Sequence, residues 1–97
     1  MAFRHVVLFS IHDDVIDDRV SEAMERLRSL ADLPGVTAFA VARSLDERKG
    51  RILVEDVTFL DEASFAAFRA SPAHLIVATE MASISDWWIG DYDDGAR

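Results

Sequence analysis

The chain has 97 residues, 51% of them hydrophobic, with a net charge of −8, one lysine and no cysteine. Its length makes one small domain that buries roughly two thirds of its unfolded surface, so the apolar surplus points to self-association. The acidic balance excludes binding to nucleic acid or anionic membranes through basic clusters, and the lack of cysteine excludes disulfides, thiolate metal sites and a cysteine nucleophile.

The start, Met1-Ala2-Phe3-Arg4-His5, lacks the apolar run and small-residue cleavage site of a signal peptide. No stretch reaches membrane-spanning length, so a cytoplasmic protein is expected. Phe3–Ser10 reads as a strand rich in Val, Phe and Leu that ends at the polar turn Ile11-His12-Asp13-Asp14. Asp14 or Asp17 is placed to cap the helix that follows, in which Val20, Met24, Leu27 and Leu30 or Ala31 recur at helical spacing. Pro34-Gly35 ends that helix.

Val36–Arg43 is a second strand, with Val36, Ala38 and Ala40 expected on one face and Thr37, Phe39 and Val41 on the other. Ser44–Gly50 is a charged, solvated loop. Arg51–Phe59 is a third, nearly continuous apolar strand interrupted by Glu55-Asp56. Asp61 caps a short helix whose Phe65 and Phe68 read as core. Ser71-Pro72 breaks it and starts another, with Ser as cap and Pro at the first position, where its missing N–H costs nothing. Leu75, Ala78 or Thr79, and Met81-Ala82 are the expected apolar face of this last helix. Trp87–Tyr92 is a last strand and 93–97 a frayed tail, leaving a core over residues 2–92 of one domain spanning 1–97.

The order β-α-β-β-α-β is solved by two interleaved right-handed β-α-β units in one antiparallel sheet, with helices on one face. The first and third strands are expected side by side in the middle and running parallel. Val6 and Leu8 alternate with His5, Val7 and Phe9, so both faces of the first strand are apolar. The bare face is a partner surface, and a second copy related by a two-fold axis is its simplest occupant.

Three polar residues fall on the helix-covered side. His5 is in phase with Val7 and Phe9, Glu55 with Leu53, Val57 and Phe59, and His74 sits in the first turn of the last helix. There the positive helix end favours a neutral imidazole. A carboxylate on that face is costly unless paired or protonated. Glu55 would therefore orient a histidine, complete a two-histidine metal site for which no local spacing speaks, or form an ion pair with His5 or an arginine. The inert alternative has both histidines hydrogen-bonded while packing the strand–helix junction. Asp56 and Arg4 point the other way and should pair, within the chain or across the dimer. His12 is expected at the solvated surface. Alternation sends Trp87 and Ile89 to one side and Trp88 and Tyr92 to the other, so one tryptophan roofs any pocket.

The ordered set Arg4-His5-Val6-Val7-Leu8-Phe9, Leu33-Pro34-Gly35-Val36, Val57-Thr58-Phe59, Ser71-Pro72-Ala73-His74 and Asp91-Tyr92 resembles the stress-responsive α/β-barrel (Dabb) family over roughly residues 2–92. The resemblance implies an α+β protomer, a ferredoxin-like βαββαβ sandwich that forms a dimeric α/β barrel. That family includes a plant polyketide cyclase working by aldol chemistry without metal or cofactor, ring-forming boiling-stable proteins, and members of no known activity. The cyclase's two histidines fall on His5 and His74, while its other polar pocket positions fall on Leu53 and Phe68. The expected pocket is thus Val7, Leu53, Phe68, Trp87 and Trp88 around His5, His74 and Glu55. Three functions follow as expectations: binding of a small apolar molecule between sheet and helices; cyclase-like chemistry with His74 as general base, assisted by His5 and Glu55; or cofactor-free oxygenation, as in related dimeric-barrel monooxygenases. No cofactor and no metal is expected in any of them. The expected partners are a second copy and a small apolar or aromatic ligand.

Overall fold

Phe3–Ile11 alternates so that His5, Val7, Phe9 and Ile11 are buried while Leu8 is left exposed. The structure, a computed structural model, describes residues 2–95; the last two residues of the expected tail, Ala96 and Arg97, lie outside the described residues, as does Met1. The chain forms β1 (Phe3–Ile11), α1 (Asp17–Arg28) extended by a 3-10 turn (Ser29–Asp32), β2 (Val36–Arg43), β3 (Ile52–Phe59), α2 (Glu62–Ala70), α3 (Pro72–Ile84) and β4 (Ser85–Asp93). The sheet order is β2-β3-β1-β4, and every neighbouring pair is antiparallel. This is a ferredoxin-like α+β sandwich. Among the described residues no helix is long and apolar enough to cross a membrane.

Five expectations change. β1 and β3 are adjacent but antiparallel, because the β2–β3 hairpin reverses the chain before it returns beside β1. Neither Asp14 nor Asp17 caps α1: the capping position is Ile16, which offers no side-chain hydrogen bond. Asp17 lies in the first turn, where its charge suits the helix end, and accepts from Arg43 of β2 at 2.8 Å. In β2 the register slips between Val36 and Ala38, so Thr37 is an extra residue and Val36 joins Phe39 against the core.

The other two changes lie near the C-terminus. The buried face of α3 is Val77, Met81 and Ile84, while Leu75 is 54% exposed. That helix is apolar nearly all round, so spacing alone does not single out its core stripe. The tail is shorter than expected, since Asp93 pairs with Phe3 and the Asp94 N–H donates to the Ala2 carbonyl at 2.8 Å.

Two contacts position the helices over the sheet. Phe3 and Phe59 pack on α2, with Phe3–Phe65 rings stacked at 4.5 Å and Phe59–Phe68 edge to face at 4.9 Å. Glu80 of α3 reaches Arg26 at 3.1 Å and Arg19 at 3.6 Å, tying α3 to α1. Caps set the break between α2 and α3. The Ser64 N–H donates to Asp61 at 2.8 Å, and the His74 N–H donates to the Ser71 hydroxyl at 3.2 Å with Pro72 at the first helical position. His74 thereby enters α3 beside the end of α2.

On the uncovered face Arg4 pairs with Asp56 within the chain at 2.8 Å and lies over the Tyr92 ring. Trp88, 65% exposed, and Leu8 share that face. His12 is partly exposed and lies 3.6 Å from Asp86.

Candidate functional site

A cavity of about 310 Å³ lies between the sheet and the helices. Its apolar wall comes from Val7 and Phe9 of β1, Leu27 of α1, Leu30 of the 3-10 turn, Phe65 of α2, and Val77, Ala78 and Met81 of α3. Trp87 and Ile89 of β4 complete it. Into this wall are set His5, Glu55, Asp91, His74 and Arg69. The structure therefore brings His5, Glu55 and His74 to one space, together with Val7 and Trp87. It places Leu53, Phe68 and Trp88 elsewhere. Leu53 and Phe68 are packed in the core, where Phe68 supports the His74 ring at 5.0 Å, and Trp88 faces the other side of the sheet because it alternates with Trp87.

His5 is 5% exposed and lies directly across from Asp91 in the β1–β4 register. Its Nδ1 is 2.6 Å from Asp91 Oδ1. An ionised carboxylate only accepts, so Nδ1 carries the hydrogen and Nε2 is turned away from Asp91. That Nε2 is 3.9 Å from Glu55 Oε1, too far for a hydrogen bond. Glu55 pairs in register with Val7, two residue pairs along from His5, and is 4% exposed. Among the described residues no hydrogen bond reaches its carboxyl group. Burial pushes that carboxyl up to about 7.

His74 is fixed differently. Its Nδ1 is 3.1 Å from the Arg69 carbonyl, which only accepts, so Nδ1–H donates and the neutral ring keeps its lone pair on Nε2. Burial, more than any other influence, lowers the His74 imidazole below the ordinary histidine range. The Arg69 carbonyl opposes this, and the charges of His5 and Arg69 add to it.

Asp91 and Arg69 line the cavity in addition to the residues expected there. For Asp91 the signal was present, since it continues the phase of Trp87 and Ile89. Arg69 follows Phe65 by four positions and so shares its helix face. Among the described residues no group of three His, Cys, Asp or Glu side chains is arranged to hold a metal ion.

Fold and cavity together define a ferredoxin-like sandwich with one covered and one bare sheet face. The chain belongs to the stress-responsive A/B barrel domain family, whose model matches residues 3–94. No curated protein matches it. Among solved structures it is similar to a dimeric ferredoxin-like protein of unknown function from Thermobifida fusca, at a TM-score of 0.85 and 23% identity over 95% of this chain and 90% of that one. It is also similar to a hydroxynitrile lyase from Passiflora edulis, at 0.85 and 18% over 99% and 97%. A third is SnoaB, a cofactor-independent oxygenase from Streptomyces nogalater, at 0.82 and 21% over 99% and 95%. At these identities the likeness establishes the fold, and the named activities belong to those proteins.

Glu55 links the site to stability. Its carboxyl titrates near 4.5 when unfolded and near 7 when folded, so the folded state holds the proton more tightly. Its contribution is complete below the unfolded value and is lost as pH rises through the folded one. The loss is on the order of 3 kcal/mol. Glu55→Gln should flatten the fall in Tm between about pH 5 and pH 8. An unchanged slope in thermal melts of the variant would show that Glu55 does not carry it.

Proposed function

We propose that the cavity binds a small, largely apolar molecule whose polar end meets the cluster of His5, Asp91, Glu55 and His74. The observation that carries this reading is an open space of about 310 Å³ with apolar walls and convergent polar groups, where an inert core would be filled. Such a volume accommodates a molecule of one or two rings. The second part of the proposal concerns the bare sheet face, which we assign to a second copy of the chain. Support comes from the exposed Leu8, Trp88 and Tyr92 on that face and from the dimeric state named for the similar Thermobifida fusca protein.

A second reading has one specific observation in its favour. The bond from His74 Nδ1–H to the Arg69 carbonyl leaves a basic Nε2 on a ring that borders the cavity and stays neutral below the ordinary histidine pH. Such a nitrogen takes a proton from the carbon next to a carbonyl, the opening step of aldol-type chemistry. In that reading His5 holds the substrate oxygen, with Asp91 orienting the ring and Glu55 beside it.

Each part has its measurement. An uncharged two-ring fluorescent probe, 6-propionyl-2-dimethylaminonaphthalene, should bind wild type saturably and bind Ala78→Trp at least about tenfold more weakly, because Ala78 borders the cavity. Equal titration curves for two equally stable proteins would remove the cavity from consideration. Trp88→Asp should convert a dimer to a monomer in sedimentation velocity, since it buries a charge in the shared face. For the second reading, proton–deuterium exchange alpha to the carbonyl of 2-tetralone should be accelerated by wild type and slowed about tenfold or more by His74→Gln. The rate should rise with pH and level off below 6.5, the ordinary histidine value, as His74 loses its proton. Exchange indifferent to His74 would leave binding alone.

A further inference from the structure

We infer that Glu55 is the specificity-determining hydrogen-bond donor of the cavity, selecting uncharged ligands that carry a carbonyl oxygen on an apolar frame and rejecting the corresponding carboxylates. The inference rests on the ligand-binding reading above and adds the class of ligand to it. Its starting point is a hydrogen-bond balance. One imidazole, His5, lies between two acids, and its Nδ1–H serves only one of them. Asp91 holds it at 2.6 Å in directly paired register, whereas Glu55 stands 3.9 Å from its other nitrogen.

No other element supplies a compensating charge at Glu55. β2 presents Val41 across from it in the β2–β3 register. α1 and its 3-10 extension face the cavity with Leu27 and Leu30. From α3 comes His74, which stays neutral, and from α2 comes Arg69, whose residue is largely exposed. A carboxylate so placed would be an unpaired buried charge, so the group is held as the acid, in agreement with its raised titration.

A protonated carboxyl has one O–H to give, and no described group accepts it. His74 has committed its Nδ1–H to the Arg69 carbonyl, and His5 has committed its own to Asp91. Among His5, His74 and Glu55 the unspent donor therefore belongs to Glu55. A carbonyl oxygen, which only accepts, is its complement. A carboxylate ligand would instead bring a second buried negative charge beside Asp91 into the apolar wall, where burial penalises it.

The test uses four molecules on one frame: 1-acetonaphthone, 1-naphthoate, 1-naphthylmethylamine and naphthalene, titrated by calorimetry or NMR. At about pH 5.5 wild type should bind the ketone about tenfold tighter than naphthalene, the value of one hydrogen bond. That advantage should vanish by about pH 8.5, where Glu55 has ionised. Glu55→Gln, which keeps a donor but does not titrate, should retain the advantage at both pH values. Glu55→Leu should bind naphthalene and show no preference for the ketone at either. Equal binding of ketone and naphthalene by wild type at low pH overturns the inference while leaving the cavity reading intact. So does a pH dependence that persists in Glu55→Gln, or tightest binding of the naphthoate or the amine. Failure of all four molecules to bind at either pH overturns the cavity reading and this inference with it.

Discussion

β1 is hydrogen-bonded along both edges, to β3 on one side and β4 on the other, and this double pairing is what the rest of the structure depends on. A strand held on both edges cannot rotate or slip without flipping every side chain to the opposite face. His5, Val7 and Phe9 are thereby committed to the helix side, and Arg4, Val6 and Leu8 to the bare side. The same registers bring Asp91 opposite His5 and Glu55 opposite Val7. The polar cluster is therefore held by backbone hydrogen bonds of the sheet centre and not by loops, so its geometry is as stiff as the sheet itself.

What that rigidity creates is an imbalance of charge inside an apolar space. Asp91 and His5 form a close pair, and Glu55 is the acid left over. Natural interiors tolerate such a group when it is neutral or when something fills its hydrogen-bonding capacity. On the opposite wall the His74 ring is oriented by a backbone carbonyl, which settles its tautomer without using another side chain. The cavity thus combines an acid that keeps its proton with an imidazole that readily gives its proton up, a separation of titrations characteristic of sites that handle ligands or protons. Val7, Phe9, Leu27 and Met81 around them keep the local environment apolar, which sustains both shifts.

The two faces of the sheet have different fates for a simple reason. α1, α2 and α3 all cross on the same side, so among the described residues no helix covers the other. Arg4 pairs with Asp56 on that side and lies against Tyr92, which compensates its charge where a neighbouring subunit would exclude water. The cavity and the bare face lie back to back across one layer of strands. Alternating residues of β1 and β4 serve each, as the neighbours Trp87 and Trp88 illustrate.

Much of this was legible in the sequence, because it rests on local rules. The element order follows from hydrophobic period and punctuation. The break at Ser71-Pro72 follows from cap chemistry, and the sidedness of His5 and Glu55 from a strand period of two. Local rules could not say that Val36 turns towards the core, because a bulge is settled by pairing with β3. Nor could they identify Val77 over Leu75 as the buried side of a helix that is apolar all round. Strand direction beside β1 was missed because it depends on how a hairpin folds back. Within the cavity, alternation already pointed Asp91 inward, yet its bond to His5 needs the β1–β4 register, which spans most of the chain. By itself the sequence determined the elements, the two faces of β1 and the three polar residues at issue. Only the tertiary structure decided their partners: Asp91 for His5, the Arg69 carbonyl for His74, and no hydrogen-bonding partner among the described residues for Glu55. Partnership is a matter of distance between residues far apart in the chain, and only packing sets that distance.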